Sequence, residues 1–298
     1  VAPVSSSPPE VRVRRLSAGD GLELALHCVG PEGGAPVLCV HGTFSNHRYW
    51  LGTRGSGFAR ELAGHGFEAW VLDLRGHGDS AMPRRGQPAD FDAWARLDLA
   101  AGLRAALDAA DRRGTPGFAV GHSAGGATLL MALAAEPDLR ERLDGLVLAG
   151  TPLPWTQGFR RTGARLVRLA TWLMPRFPAR LLGLGPEDEL NGVMRQWMGW
   201  NLRGRMTGHD GLDYGAALPS VRVPTLAVAG AADRLFAPPA SCQALLERLG
   251  GPDRTFLLAG RENGFDTDYG HADLIASPHA RVELWPRLIE WLEARRAH

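Results

Sequence analysis

From Pro36 onward the chain repeats one pattern: a short apolar run, a turn, then a longer stretch with helical spacing. The runs are Val37 to Val40, Ala69 to Leu72, Phe118 to Val120, Leu146 to Ala149, Leu226 to Ala229 and Phe256 to Ala259. Each is too short for a helix and continuously apolar, as strands are when a parallel sheet is covered on both faces. The stretches Ala93 to Asp111, Ala124 to Ala135, Ser241 to Leu249 and Arg281 to Arg295 read as helices. In the last, Val282, Trp285, Leu288, Ile289 and Leu292 fall on one stripe. Strands alternating with helices imply right-handed crossovers and an α/β fold. Before Pro36, apolar residues alternate through Val11 and Val13, then through Leu22, Leu24 and Leu26, which predicts an antiparallel pair.

The alternation is interrupted once. Pro152 to Pro219 holds no strand-like run, yet carries Trp155, Trp172, Trp197 and Trp200 with Met174, Met194, Met198 and Met206. Residues 152–219 therefore read as a helical insertion in a core formed by residues 11–151 and 220–298. Residues 1–10, rich in Ser and Pro, are expected to form a flexible tail.

Composition narrows the function classes. The chain has 298 residues, 45% apolar and 22% charged, enough to bury a large core. All 33 cationic side chains are arginine. Without lysine there is no Schiff-base, pyridoxal, P-loop or kinase phosphate-binding amine. A net charge of +1 offers no general attraction to nucleic acid, and no such partner is expected. No apolar run approaches the ~18 to 20 residues of a membrane span. Val1 to Pro9 lacks the basic and apolar regions of a signal peptide, so a cytoplasmic location is expected for this sequence, which begins with Val rather than Met. Cys28, Cys39 and Cys242 form no CxxC pair and are expected to be buried thiols. No residues show metal-ligand spacing, and neither a metal nor an organic cofactor is expected.

Gly121-His122-Ser123-Ala124-Gly125 matches G-x-S-x-G between the strand-like run ending at Val120 and the helix-like run from Ala124. That strand-turn-helix setting is what the motif requires. A serine on so sharp a turn takes strained backbone angles, and side chains at Gly121 and Gly125 would collide with neighbouring elements. The serine hydroxyl is left exposed above a helix N-terminus, whose positive partial charge and Ala124 N–H face any developing oxyanion. In a chain with 38 glycines the pentapeptide alone arises readily by chance, so its setting carries the argument. His41-Gly42-Thr43 follows Val37 to Val40 at the carboxyl edge of the sheet, where open parallel sheets bind ligands. Thr43 is the candidate for the second oxyanion N–H, and His41 reads as a structural hydrogen-bonding residue. The segment Asp73 to Ser80 reads as a turn that braces the loops near the site.

A serine hydroxyl needs a base, and the base needs an acid that fixes its tautomer. Asp233, just after Leu226 to Ala229, is the candidate acid. His271, between the last strand-like run and the closing helix, is the candidate base; His279, Asp266 and Asp268 are close enough in sequence to compete. The chain order Ser, Asp, His is that of α/β-hydrolases and not of chymotrypsin-like or subtilisin-like enzymes.

On these residues the chain resembles the α/β-hydrolase superfamily, in its branch of serine esterases and lipases with a helical cap. The resemblance spans residues 20 to 296 and rests on His41-Gly42, Asp73-x-Arg75-Gly76-x-Gly78-x-Ser80, Gly121-x-Ser123-x-Gly125, Asp233 and Gly270-His271. It implies an α/β-hydrolase fold: a mostly parallel eight-stranded sheet flanked by helices, with an inserted helical cap. It also implies hydrolysis of carboxylic esters with hydrophobic, small-to-medium acyl groups through an acyl-enzyme on Ser123. The serine departs from the aspartate nucleophile of epoxide hydrolases and from the cysteine of dienelactone hydrolases. Thioesterases, lactonases and acyltransferases use the same three residues, and a ligand-binding receptor built on the same pocket is the reading from another class. The interval from Asp233 to His271 is longer than the family's usual one, which is expected to put Arg261 to Tyr269 in an extra loop beside the site. Phe44 and His122, and in the insertion Trp155, Phe159, Trp197 and Trp200, are candidate pocket walls; the alternative is that the insertion's aromatics only pack its helices. Arg160, Arg161, Arg165 and Arg168 are expected to form a solvated helix face. Apolar insertion surface left exposed would suit a homodimer contact.

Overall fold

The six apolar runs become six neighbouring parallel strands. The computed structural model describes residues 10–52, 55–153 and 161–297. Strands β1 (Val11–Ser17), β2 (Glu23–Val29), β3 (Ala35–Val40), β4 (Phe67–Leu72), β5 (Phe118–His122), β6 (Gly145–Ala149), β7 (Thr225–Gly230) and β8 (Arg254–Ala259) form one sheet in the order β1-β2-β4-β3-β5-β6-β7-β8. Strand β2 runs antiparallel to both its neighbours, and every other neighbouring pair is parallel.

Side chains alternate across the sheet. Val37 and Cys39 of β3, Ala69 and Val71 of β4, and Phe118 and Val120 of β5 enter one core layer, covered by helices α1 (Phe58–Gly64) and α7 (Trp285–Arg296). Leu38 and Val40, Trp70 and Leu72, and Ala119 enter the opposite layer, covered by α2 (Ala100–Arg113) and α3 (Ala124–Ala135). Helix α6 (Pro239–Glu247) links β7 to β8. This is the mostly parallel eight-stranded α/β-hydrolase architecture. The three cysteines are buried free thiols, and burial pushes Cys28 up to about 11 and Cys242 up to about 12.

Two expected helices differ in their first turns. The stretch from Ala93 is helical from Phe91 to Arg113, but Trp94–Leu99 widens into a π turn that points the Asp98 carboxylate at the buried Arg75. The closing helix likewise begins with a π turn, Ala280–Leu284, ahead of Pro286, whose missing N–H would be unavailable to an α-helical ladder. The wider turn shifts the phase of the apolar stripe. Trp285, Leu288, Ile289 and Leu292 are buried as expected, whereas Val282 faces solvent.

Between β6 and β7 the described residues contribute no strand to the sheet. They form α4 (Arg161–Leu173) and α5 (Asn191–Arg203), which pack on each other, with isolated bridges Phe177–Glu189 and Thr207–Asp213. Helix α5 is tied to the core through Gln196. Its side-chain oxygen accepts the Phe91 N–H at 2.9 Å, and its nitrogen donates to Asp92 at 2.9 Å. No helix among the described residues is long and apolar enough to cross a membrane.

Candidate active site

Ser123 follows β5 and precedes α3 with φ 54° and ψ −123°; among the described residues only it and Phe44 combine a side chain with positive φ. The turn is this tight because glycines let three elements converge. A Cβ on Gly121 would lie 2.5 Å from the Gly126 Cα in α3, and one on Gly125 would overlap the carbonyl oxygens of Val40 and His41 at the end of β3. A Cβ on Gly42 would sit 2.9 Å from the Ser123 Cβ, so the loop after β3 presses directly on the serine.

His271 reaches Ser123 from the loop after β8. Its Nε2 is 2.9 Å from the serine Oγ, and its Nδ1 is 2.6 Å from Asp233 Oδ2. Asp233, after β7, also accepts the N–H groups of Phe236 and Ala237, each at 3.0 Å. Burial pushes this carboxyl up, but the bonds from His271 and the two backbone donors outweigh it and hold the group below its ordinary value. Three side chains from three loops thus form one continuous relay. His122 steadies it from behind: its Nε2 lies 3.0 Å from the His271 carbonyl, and burial with the neighbouring His271 imidazole lowers His122 to about 3, leaving it neutral. The competing residues stand elsewhere. Asp268 accepts the Arg261 N–H, Asp266 is exposed, and His279 is exposed at the start of the second π turn.

Thr43 and Ala124 are half-buried next to Ser123. The Ala124 N–H belongs to the first turn of α3, where backbone donors have no intrahelical partner. Beyond Thr43, Phe44 has φ 65° and is held on both sides by Glu187 and Glu189. Its N–H donates to Glu189 at 3.0 Å and its carbonyl accepts the Glu187 N–H at 3.1 Å. Glu189 is fully buried, 3.2 Å from His77 Nε2; burial pushes the His77 imidazole down, and Glu189 more than offsets this. His41, fully buried, accepts the Leu74 N–H at 3.2 Å and pairs with the Gly42 carbonyl at 2.7 Å; burial lowers it to about 4.

Two cavities meet at Ser123. One is lined by Thr43, Ala124, Phe91, Pro152, Trp197 and Trp200, and the other by Phe44, Tyr49, His122, Leu184, Phe236 and His271. The sequence-predicted Phe44, His122, Trp197 and Trp200 therefore all face the serine's surroundings. Trp155 and Phe159 lie outside the described residues. Phe91, Tyr49, Leu184 and Phe236 carried no local signal, because only the fold brings them to the carboxyl edge. The loop Arg261 to Tyr269 stands beside the acid, where the Tyr269 carbonyl accepts the Ala232 N–H at 2.9 Å, and it lines neither cavity. Its Phe265 and Tyr269 are buried in the layer with α7, and Arg287 stacks over the Phe265 ring at 4.2 Å.

The turn from Asp73 to Ser80 is knit by hydrogen bonds. The buried Asp73 carboxylate accepts from His47 N and His47 Nδ1, each at 2.7 Å, from Asp79 N at 2.9 Å, and faces His27 Nε2 at 3.1 Å. Sequence spacing showed no ligand cluster, yet the fold gathers His27, His47, Asp73 and Asp79. These bonds account for the cluster as a brace of the loop that ends at His47, ahead of the helical turn Arg48–Leu51 that carries Tyr49.

Residues 37–284 match the model of the alpha/beta hydrolase family. The chain belongs to that family. Among solved structures, this alpha/beta hydrolase resembles a thermophilic esterase from Thermogutta terrifontis, with 23% identity, a TM-score of 0.63 and coverage of 96% of this chain and 99% of that one. A soluble variant of monoglyceride lipase from Saccharomyces cerevisiae has 17% identity and a TM-score of 0.71, over 99% and 98% of the two chains. A thioesterase domain from the curacin biosynthetic pathway has 18% identity and a TM-score of 0.61, over 95% and 99%. At such identities the likeness is one of fold. No curated protein matches this alpha/beta hydrolase in sequence.

Proposed function

We propose that the protein hydrolyses carboxylic esters with hydrophobic, small-to-medium acyl groups through an acyl-enzyme on Ser123. The observation that carries this reading is the Ser123–His271–Asp233 relay standing where two largely apolar cavities meet. His271 Nε2 takes the Ser123 proton as Oγ attacks the carbonyl carbon, and Asp233 offsets the charge on the imidazolium. The N–H groups of Thr43 and Ala124 receive the oxyanion. Collapse breaks the ester C–O bond, and the imidazolium proton passes to the departing alcohol. Water then attacks the acyl-enzyme with His271 again as base and frees Ser123. Because the leaving oxygen must reach His271, the cavity walled by His271, Phe236 and Leu184 takes the alcohol. The one walled by Phe91, Trp197 and Trp200 takes the acyl chain, and the insertion that supplies the two tryptophans acts as the cap.

The experiment is hydrolysis of p-nitrophenyl esters from acetate to palmitate by wild type and Ser123→Ala. Turnover confined to wild type, with an optimum between butyrate and octanoate, is expected. A folded wild type that turns over no ester and leaves Ser123 unlabelled by a fluorophosphonate would instead fit a receptor with an idle pocket. Trp197→Ala enlarges the acyl cavity and is expected to raise kcat/KM for decanoate relative to acetate by about tenfold. An unchanged ratio would remove Trp197 from the acyl wall.

Glu189 positions the oxyanion turn in this mechanism, since it holds the strained Phe44 beside Thr43. Glu189→Ala is expected to lower kcat about 10- to 100-fold with KM changed less than about threefold, because a displaced Thr43 N–H weakens transition-state binding alone. Glu189→Gln keeps an acceptor for the Phe44 N–H and is expected to restore most of the rate. Equal loss in both variants would show that the charge opposite His77 matters and the hydrogen bond does not.

A further inference from the structure

Helix α4 is amphipathic in the reverse of the usual sense. Its small residues Ala164 and Thr171 are buried, while Leu166, Leu169, Trp172 and Leu173 face solvent at 60 to 79% exposure. At helical spacing the three leucines share a sector of about 60°, and Arg161, Arg165 and Arg168 form the stripe beside it. The turn that follows continues the pattern with Leu181, 85% exposed, and Leu182. Eleven large apolar side chains are exposed among the described residues, and seven of them lie between Leu166 and Leu184. Scattered exposed leucines need no explanation, but such a concentration marks an interaction surface.

Charge identifies the partner. Residues 161–186 contain five arginines and no acidic residue; of the three acids that follow, Glu189 is buried, Glu187 accepts from Asn46 and Asp188 from the Arg180 N–H. Arg161 and Arg176 donate to the backbone carbonyls of Leu202 and Gly76, contacts that leave their positive charge uncancelled. A second copy docked symmetrically on this face would set the arginine stripe against itself. A lipid surface bearing phosphate headgroups satisfies both halves of the pattern: leucines in the acyl boundary, guanidinium groups on the phosphates. The chain then leads inward, since Leu184, Gly185 and Pro186 line the cavity beside Ser123 and His271.

We propose that Leu166 to Leu184 docks the protein peripherally on an anionic lipid surface. The docking stands without the ester-hydrolase reading; delivery of a lipid-borne ester from that surface to Ser123 rests on it. The test is flotation of the full chain with phosphatidylcholine vesicles, with and without about 30% phosphatidylglycerol, at about 0.1 M NaCl. Wild type is expected to float with the anionic vesicles, and its partitioning to fall about tenfold on neutral vesicles or at about 0.5 M NaCl. Leu169→Ser with Leu173→Ser is expected to lose about tenfold or more while keeping the wild-type Tm and the wild-type rate on a water-soluble acetate ester. Flotation by a wild type that hydrolyses no ester would uphold the docking and refute the esterase reading. Ester hydrolysis without flotation, or equal flotation of the variant, overturns the docking alone. A lipid-free dimer that these two substitutions dissociate, with no flotation, assigns the face to a second copy and overturns it as well.

Discussion

Ser123→Ala is expected to lower kcat for p-nitrophenyl butyrate by about 10,000-fold or more, and His271→Ala to do the same. In the proposed mechanism the two residues act as one unit, so the double variant should be hardly slower than either single one. What survives would come from the Thr43 and Ala124 donors and from substrate binding. A second readout separates this from unfolding. Ser123 has φ 54°, a conformation that costs a side chain of order 1 to 3 kcal/mol and costs glycine little. Ser123→Gly is therefore expected to abolish turnover and yet raise stability by about 1 kcal/mol, read from the denaturant midpoint. Turnover near wild type in Ser123→Ala would end the acyl-enzyme proposal.

Asp98→Ala is expected to cost about 3 kcal/mol in chemical denaturation, with kcat of the folded enzyme largely retained. Arg75 is fully buried and is paired with Asp98 through Nε at 2.9 Å and Nη2 at 2.7 Å. Removing Asp98 leaves the buried guanidinium, among the described residues, with the Asp20 carboxylate and the Pro88 backbone carbonyl as its remaining acceptors. Breaking a buried pair on one side is the costly case, whereas replacing both members with apolar residues is often nearly neutral. The double variant Arg75→Met with Asp98→Leu should accordingly recover much of the loss. A cost below about 1 kcal/mol for Asp98→Ala would show that water enters and rehydrates Arg75.

The sheet was readable because a strand covered on both faces must be apolar throughout, and Val37 to Val40 or Leu146 to Ala149 leave no other reading. Ser123 was readable from its local setting. Asp233 and His271 followed from their positions after strand-like runs, and the fold brings both to the serine. What local sequence does not carry is partnership across the chain. Nothing near Glu189 announces that it accepts the Phe44 N–H across 145 positions. Phase was lost at Val282 for a local reason: a π turn adds a residue to the ring, and a periodic stripe read at α-helical spacing runs past it. The Arg261 to Tyr269 loop was visible from its length, whereas its anchor, Phe265 and Tyr269 against the α7 layer, was not.

The placement of two separate cavities on either side of one serine has a consequence for product choice. In the proposed acyl-enzyme, once the alcohol has left, the space vacated beside His271 would be bounded by Phe44, Leu184 and Phe236, and such walls hold water weakly. An incoming medium-chain alcohol would fit that space better than water does, and His271 would activate its hydroxyl in the same way. Under the proposed mechanism the partition between hydrolysis and transesterification would be governed by the empty side of the site and not by the acyl chain already bound, so substitutions at Leu184 and Phe236 would shift that partition without altering which acids are accepted.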